Sequence, residues 1–437
     1  MYIRSIELRD LRAFTKARLE FLYPGRKLSQ DPFETPLRQE IGDPRHANIN
    51  VVLGVNGSGK STVLEAIALA FLSMVSQSGY TPRVLIRRRK GAPLTKAGIE
   101  LQLALHPADT PDRKLAKDAV ELLACSVDKT GDYEFLRGPP ADNGLFKEMF
   151  VDRSPAFLLM GYGVFRRTEA ASQGELQSRQ KIRLPRYDRV YSLFEDSATL
   201  IPLSSWFPTL EDAKRRSEII ALINRMTPST VRFEGKVVGG EMIFKYRGLE
   251  LPFAALSAGY RGHLGWVGDL LYRLAEVTPP GQTLRSTPGV VLVDEIDAHL
   301  HPEWQQEIIG ALANALPRIQ FILTTHSHLI TGTLERGNIN VVSRKGTGAP
   351  VVEPPEQEMY GLSADQILMT DLFGLDSTRD KAFAAELQVV QRKAARGDAE
   401  ASVDFIRKAA IGKAADNYTS KPINEPPDWL KQMAAKK

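Results

Sequence analysis

At 437 residues the chain is long enough for two or three folding units, and its 43% apolar content can fill a sizeable core. A formal net charge of +5 is a small surplus for a nucleic-acid binder, and the single cysteine, Cys125, excludes internal disulfides and cysteine-cluster metal sites. No apolar run reaches the ~18 residues that span a bilayer, and the start alternates like a strand instead of showing a signal peptide, so the expected compartment is the cytoplasm with no membrane contact.

The first predicted strand opens at Ile3 and runs towards Phe14. A second, Ile49-Asn-Val-Val-Leu53, leads into Gly54-Val-Asn-Gly-Ser-Gly-Lys60-Ser61, and a helical run, Ser61-Thr-Val-Leu-Glu-Ala-Ile-Ala-Leu, follows. Strand, glycine-rich loop ending in Lys-Ser, then helix is the phosphate-binding loop pattern in the context that confirms it. Glycines let the backbone turn tightly and aim N–H groups at anionic oxygens, and the helix dipole adds positive potential. The candidate cradle is Gly54, Asn56, Gly57, Ser58, Gly59, Lys60, Ser61 and Thr62. Lys60 is expected on the β- and γ-phosphates of ATP, and Ser61 on Mg²⁺. A glycine turn that merely enters a helix requires neither the lysine nor the hydroxyl.

Residues 83–96 carry six basic residues and no acid, with Arg87, Arg88, Arg89 and Lys90 at their centre. Alternation over Ile99 to Leu105, and a turn at Lys129 to Asp132 between two further strands, predict an antiparallel subdomain, with Cys125 a small apolar residue of one strand. Another strand, Ala156 to Gly163, precedes a second basic stretch, residues 166–189, with seven basic residues against three acidic. Tyr162, Phe165, Tyr187 and Tyr191 interleave with it, as backbone binding with base stacking requires. Arg87 to Lys90, Arg183 and Arg186 are therefore candidate contacts to double-stranded DNA; a solvated surface loop is the other reading of both stretches. A helix follows from Leu210, and strands resume at Val231.

Leu256-Ser-Ala-Gly-Tyr-Arg261 then precedes a helical stretch, Gly262 to Leu274, and a Pro/Gly-rich loop at residues 279–288. The strand Val290-Val-Leu-Val-Asp294-Glu295 delivers two carboxylates at its carboxyl end, where open α/β sheets hold their ligands. Asp294 is expected to hold Mg²⁺, and Glu295 to polarise the water that attacks the γ-phosphate. Phe321-Ile-Leu-Thr-Thr-His326 is a second apolar strand ending in a histidine, which reads as a γ-phosphate sensor. His299, His301, His326 and His328 invite a zinc reading, but both pairs lie at the mouth of the nucleotide site. His299 and His301 read as interface residues, and His328 as a helix-entry residue. After the strand Ile339 to Ser343, helices are expected over Ser363 to Phe373, Arg379 to Arg396 and Ala399 to Ala410.

Taken in order, the three runs resemble the ATP-binding cassette (ABC) superfamily of ATPases, in which the signature loop of one subunit closes over the nucleotide held by the other. That resemblance implies a homodimer or higher homo-oligomer, with Ser257 and Gly259 acting in trans on the γ-phosphate. Tyr260-Arg261, where transporter subunits usually carry Gln, looks like the repair and chromosome-maintenance branch. The opening strand is similar to that of the RecF and OLD-type groups, which implies that Arg12 approaches phosphate and Phe14 frames the base. Asp294-Glu-Ile-Asp-Ala-His299-Leu-His301-Pro302-Glu-Trp-Gln resembles AAA-family ATPases of bacterial anti-phage systems, Septu-type and retron-linked. No sustained heptads interrupt the head. The Mg²⁺-sensing glutamine has three candidates, Gln173, Gln177 and Gln180.

The expected fold is α/β: an ABC-type ATPase head with a mixed central sheet, a phosphate-loop helix, an antiparallel β subdomain, a short helical insert and a helical C-terminal segment. Its expected parts are residues 1–163, an insert or lid over 164–228, a second half over 229–350, and an oligomer- or partner-binding segment over 351–437, with Asn424 to Trp429 as a docking peptide and residues 434–437 as a frayed tail. No Asp-x-Asp cluster of a two-metal nuclease occurs in that last segment, so no intrinsic nuclease is expected. Two functions follow from the resemblance. One is an ATP-gated sensor or scaffold controlling a separately encoded effector nuclease or toxin in antiviral defence. The other is a RecF-like repair or loading ATPase without a toxic partner.

Overall fold

A computed structural model describes residues 1–28, 40–74, 84–88, 93–110, 114, 119–139, 154–167, 185–344, 348–370, 372–375 and 377–410. Two compact units are present, Met1–Phe373 and Gly374–Lys437. The first is built on a six-stranded sheet in the order β14-β13-β3-β12-β11-β7. Strands β3 (Ile49–Leu53), β7 (Leu159–Tyr162), β11 (Gly289–Val293), β12 (Ile319–Thr325) and β13 (Ile339–Ser343) run parallel, and β14 (Val351–Glu353) pairs antiparallel with β13. Both faces of the parallel strands are covered, which is why they read as unbroken apolar runs. Alternate side chains enter different cores: Val291, Val293, Phe321 and Leu323 one, Val290, Leu292, Ile322 and Val52 the other.

The second core lies against an antiparallel sheet of order β2-β1-β4-β5-β6, made of β1 (Tyr2–Leu11), β2 (Phe14–Glu20), β4 (Lys96–Ala104), β5 (Val120–Thr130) and β6 (Tyr133–Arg137). The expected opening strand is in fact a hairpin. Leu11 pairs with Phe14, and Arg12 turns the chain at φ +45°. Helix α1 (Lys60–Leu72) has eleven buried residues of thirteen and belongs with its apolar side chains to this second core, so it carries no polar stripe. Gln320 of β12 ties the two sheets together by exchanging hydrogen bonds with both the N–H and the carbonyl of Ile3, each at 2.7 Å.

Part of the expected insert, residues 164–228, packs into the first core. In its described part, helix α2 (Ala213–Met226), capped by Asp212, buries Ile219, Leu222, Ile223 and Met226 in the first core beside Leu203, Trp206 and Phe207. That core also takes the three-stranded sheet of β8 (Val231–Val238), β9 (Glu241–Tyr246) and β10 (Leu249–Pro252), and helices α3 (Ala258–Val277) and α4 (Pro302–Ala315). Helix α3 is held to β7 by a buried polar network. Asp269 Oδ2 accepts from the Tyr162 hydroxyl at 2.9 Å and from Arg273 Nε at 2.8 Å, Asp269 Oδ1 accepts from the Ile201 N–H at 3.0 Å, and Arg273 also pairs with Asp188 at 2.8 Å.

One turn before Trp266, the buried His263 donates from Nε2 to the Met226 carbonyl at 2.8 Å and accepts at Nδ1 from Trp266 Nε1 at 3.2 Å. Both nitrogens are used by the neutral ring, and burial pushes its pKa from 6.5 down to about 3. The unfolded chain takes up this proton at about pH 6.5 and the folded chain only near 3, so stability falls as pH drops through that window, by up to ~1.4 kcal/mol per pH unit. We expect the urea midpoint to fall more steeply below about pH 6.5 in the wild type than in His263→Gln; parallel pH curves would remove this histidine from the account.

The boundary between the units falls after Phe373, so β14 and the short helix α5 (Ala364–Leu368) belong to the first unit and not to a segment starting at 351. Helix α5 is also shorter than the expected Ser363 to Phe373. The second unit contains α6 (Lys381–Ala395) and α7 (Ala399–Ala410); Arg379 donates to the carbonyls of Lys408 and Ala409, at 3.1 and 2.8 Å. Asn424 to Trp429 and residues 434–437 lie outside the described residues. Among the described residues no helix is long and apolar enough to cross a membrane.

Candidate functional site

Strand β3 hands the chain to the glycine loop at its carboxyl end, and α1 begins at Lys60. Two glycines are sterically required. A Cβ on Gly54 would lie 2.5 Å from both Ser58 Oγ and the Val342 carbonyl, and a Cβ on Gly59, which stands at φ +113°, would lie 2.7 Å from the Phe14 ring. Phe14 is fully buried beneath the loop, so it braces the loop from below and is closed off from a base. The Lys60 ammonium donates back to the carbonyls of Gly54, at 2.9 Å, and Val55, at 3.3 Å. Burial lowers its pKa against the pull of Asp294, Glu295 and Asp297. Ser58 Oγ is buried without a hydrogen-bond partner. An unpaired hydroxyl, a cation folded over the loop and glycines at 54, 57 and 59 fit an incoming anion.

Strands β11 and β12 bring the other residues alongside. Thr324 of β12 donates to Asp294 Oδ1 and accepts from the Glu295 N–H at 2.7 Å. Thr325 donates to Asp297 Oδ1 at 2.5 Å and accepts from the Ser327 N–H at 3.0 Å. Glu295 stands at φ +47°, the left-handed region that a non-glycine residue enters at a cost. His326 follows β12; burial, and then the Lys60 ammonium, hold its pKa below the ordinary range despite Glu295, Asp297 and Asp294, so the ring is neutral at pH 7. A cavity of about 250 Å³ is lined by Gly54, Val55, Asn56, Thr325, His326 and Phe373, among others. Ser61 and Thr62 open α1, Ser61 half-buried and Thr62 buried. Arg12 makes a two-pronged contact with Glu65 of α1, at 2.9 and 2.6 Å, and burial pushes the Glu65 carboxyl up against that pull.

The signature residues stand elsewhere. Ser257 caps α3, its Oγ accepting from the Tyr260 N–H at 3.5 Å. A Cβ on Gly259 would meet the His299 carbonyl at 2.4 Å, so only glycine fits there. Ser257, Gly259, Tyr260, His299, His301 and Trp304 help line a cavity of about 590 Å³ that no residue of the phosphate loop shares. His301 precedes α4 with its side chain 72% exposed, and His328 opens a helical turn, as expected of a helix-entry residue.

Several sequence candidates are used internally. Arg186 donates to the carbonyls of Ala156 and Phe157, both at 3.0 Å; Arg189, Tyr162 and Tyr187 are buried. The interleaved aromatic pattern was thus partly core, leaving Phe165 exposed. Arg87 is half-buried and Arg88 exposed, while Arg89, Lys90, Arg183, Gln173, Gln177 and Gln180 lie outside the described residues. Sequence reasoning missed Thr324, Thr325, Asp297 and Arg166. Arg166 donates to the carbonyls of Asp294 and Glu295, and burial lowers its pKa to about 10, still charged at neutrality.

Residues 248–331 match the family described as "AAA domain, putative AbiEii toxin, Type IV TA system", and residues 5–100 match an "AAA domain" family. The chain is similar to the Septu protein PtuA of Bacillus mycoides, at 25% identity over 75% of this chain and 41% of that protein. It is also similar to the retron Vc95 probable ATPase of Vibrio cholerae, 41% identical over 28% of this chain and 23% of the relative, and to the retron Ec83 probable ATPase of Escherichia coli, 38% identical over 23% and 18%. The matched part is less than half the length of each of these three relatives. A solved SMC head bound to the C-winged helix domain of ScpA has a TM-score of 0.47 and 15% identity, covering 82% of this chain and 98% of that one. With phosphate loop, acidic strand end and histidine gathered at the carboxyl ends of neighbouring strands, and AAA-domain matches over residues 5–100 and 248–331, the chain carries the features of an AAA-domain ATPase.

Proposed function

We propose that two or more copies of this chain close around ATP and that their nucleotide state controls a separately encoded effector, a nuclease or toxin, in anti-phage defence. The observation that carries the dimer is the separation of half-sites: Lys60, Glu295 and His326 surround one region, while Ser257 and Gly259 line another cavity with His299 and His301. Neither half has the full set of groups a γ-phosphate needs. Lys60 takes the β- and γ-phosphates, Glu295 orients and deprotonates the attacking water, and neutral His326 contacts the γ-phosphate. Mg²⁺, held by Ser61 and Asp294, would neutralise charge on the phosphates. The names of the Septu and retron relatives support the defence setting. Double-stranded DNA, read through the exposed Arg88 and its neighbour Arg87, is the proposed second partner.

Mixing tests the arrangement. Lys60→Ala and Ser257→Arg proteins are each expected to be inactive, and an equimolar mixture should recover about a quarter of wild-type turnover per chain, because half the random dimers hold one intact composite site. Absence of rescue, with monomers hydrolysing ATP at full rate, overturns the arrangement.

A further inference from the structure

Arg166 lies in a stretch whose composition suggests a nucleic-acid surface, yet its guanidinium is turned inward. Strand β7 runs parallel to β11 with Tyr162 beside Val293, so the loop after β7 emerges next to Asp294 and Glu295. From there one terminal nitrogen of Arg166 donates to the Asp294 carbonyl and, at 2.7 Å, to the Glu295 carbonyl, while Nε donates to the Gly163 carbonyl at 3.1 Å. The guanidinium also sits 6.0 Å from the Trp266 ring of α3. On the other side, Thr324 Oγ1 accepts the Glu295 N–H at 2.7 Å and donates to Asp294. The peptide joining the two acids is therefore clamped from both sides.

Glu295 needs such a clamp. Its φ of +47° costs of order 1–3 kcal/mol for a non-glycine residue and persists only when surrounding groups over-determine it. A relaxed backbone would swing the carboxylate away from Lys60 and His326, on whose charges it acts. We propose that Arg166 is a positioning residue for ATP hydrolysis: it fixes the backbone of Asp294 and Glu295 so that the Glu295 carboxylate keeps its aim at the attacking water. This rests on Glu295 being the general base. The planar guanidinium can reach three carbonyls at once, whereas a lysine ammonium is a compact, strongly hydrated point charge, so lysine is a poor substitute.

The test is single-turnover and steady-state hydrolysis by Arg166→Lys and Arg166→Ala, with ATP affinity and thermal midpoint measured on the same samples. The expected result for Arg166→Lys is a ~10- to 100-fold loss of kcat, the scale of a misplacement of about 1 Å, with KM for ATP and the thermal midpoint near wild type. In a Glu295→Gln background the same change should cost nothing further, because the group it aims is already gone. Wild-type kcat in a folded Arg166→Lys protein, a raised KM with kcat intact, or a full additional loss in the Glu295→Gln background would each overturn the proposal. If Arg166→Ala fails to fold, Arg166→Lys alone decides. Undiminished hydrolysis by Glu295→Gln would instead refute the general-base role, leaving a distinguishable result.

Discussion

Glu295→Gln should bind ATP about as tightly as the wild type and hydrolyse it ~10²- to 10⁴-fold more slowly, the usual cost of removing a general base. The reason is local. The contacts that fix residue 295 run through its backbone, to Thr324 and Arg166, so an isosteric amide keeps the fold of the site and loses only the proton acceptor. Lys60 still holds the phosphates, so nucleotide-bound dimers should accumulate and appear as an ATP-dependent shift in size-exclusion chromatography. Hydrolysis at the wild-type rate would remove Glu295 from its assigned role.

Asp269→Ala should be the most damaging change far from the nucleotide. Asp269 and Arg273 have side chains 1% and 8% exposed, and Asp269 serves the Tyr162 hydroxyl, the Ile201 N–H and the Arg273 guanidinium together. Removing one member of a buried pair leaves the other charge uncompensated, at a cost of ~3–5 kcal/mol. Asp188 retains part of Arg273, which places the expected loss at the lower end of that range. Chemical denaturation at pH 7 measures it; a loss below about 1 kcal/mol would mean that water satisfies the site as well as the carboxylate does.

What could be read from sequence was local. The phosphate loop, the acidic strand end and the strand leading to His326 each declare themselves within a dozen residues, because a buried parallel strand followed by a ligand loop is a contiguous pattern. Partnerships across the sheet left no such trace. Thr324 and Arg166 touch the same peptide from positions 29 and 129 residues away, and Asp269 meets Tyr162 across 107. Charge counting also misled, since Arg166 and Arg189 register as surface charge in a composition while the fold turns both inward. Phe14 shows the same limit: nothing near it in sequence indicates that Gly59 will rest on its ring.

The His299 carbonyl abuts Gly259 with no space for even a methyl group, and only three residues separate His299 from Glu295. A side chain introduced at Gly259 would have to push that carbonyl aside, so the start of α3 and the chain leaving the acidic strand end fit together only while residue 259 stays a glycine.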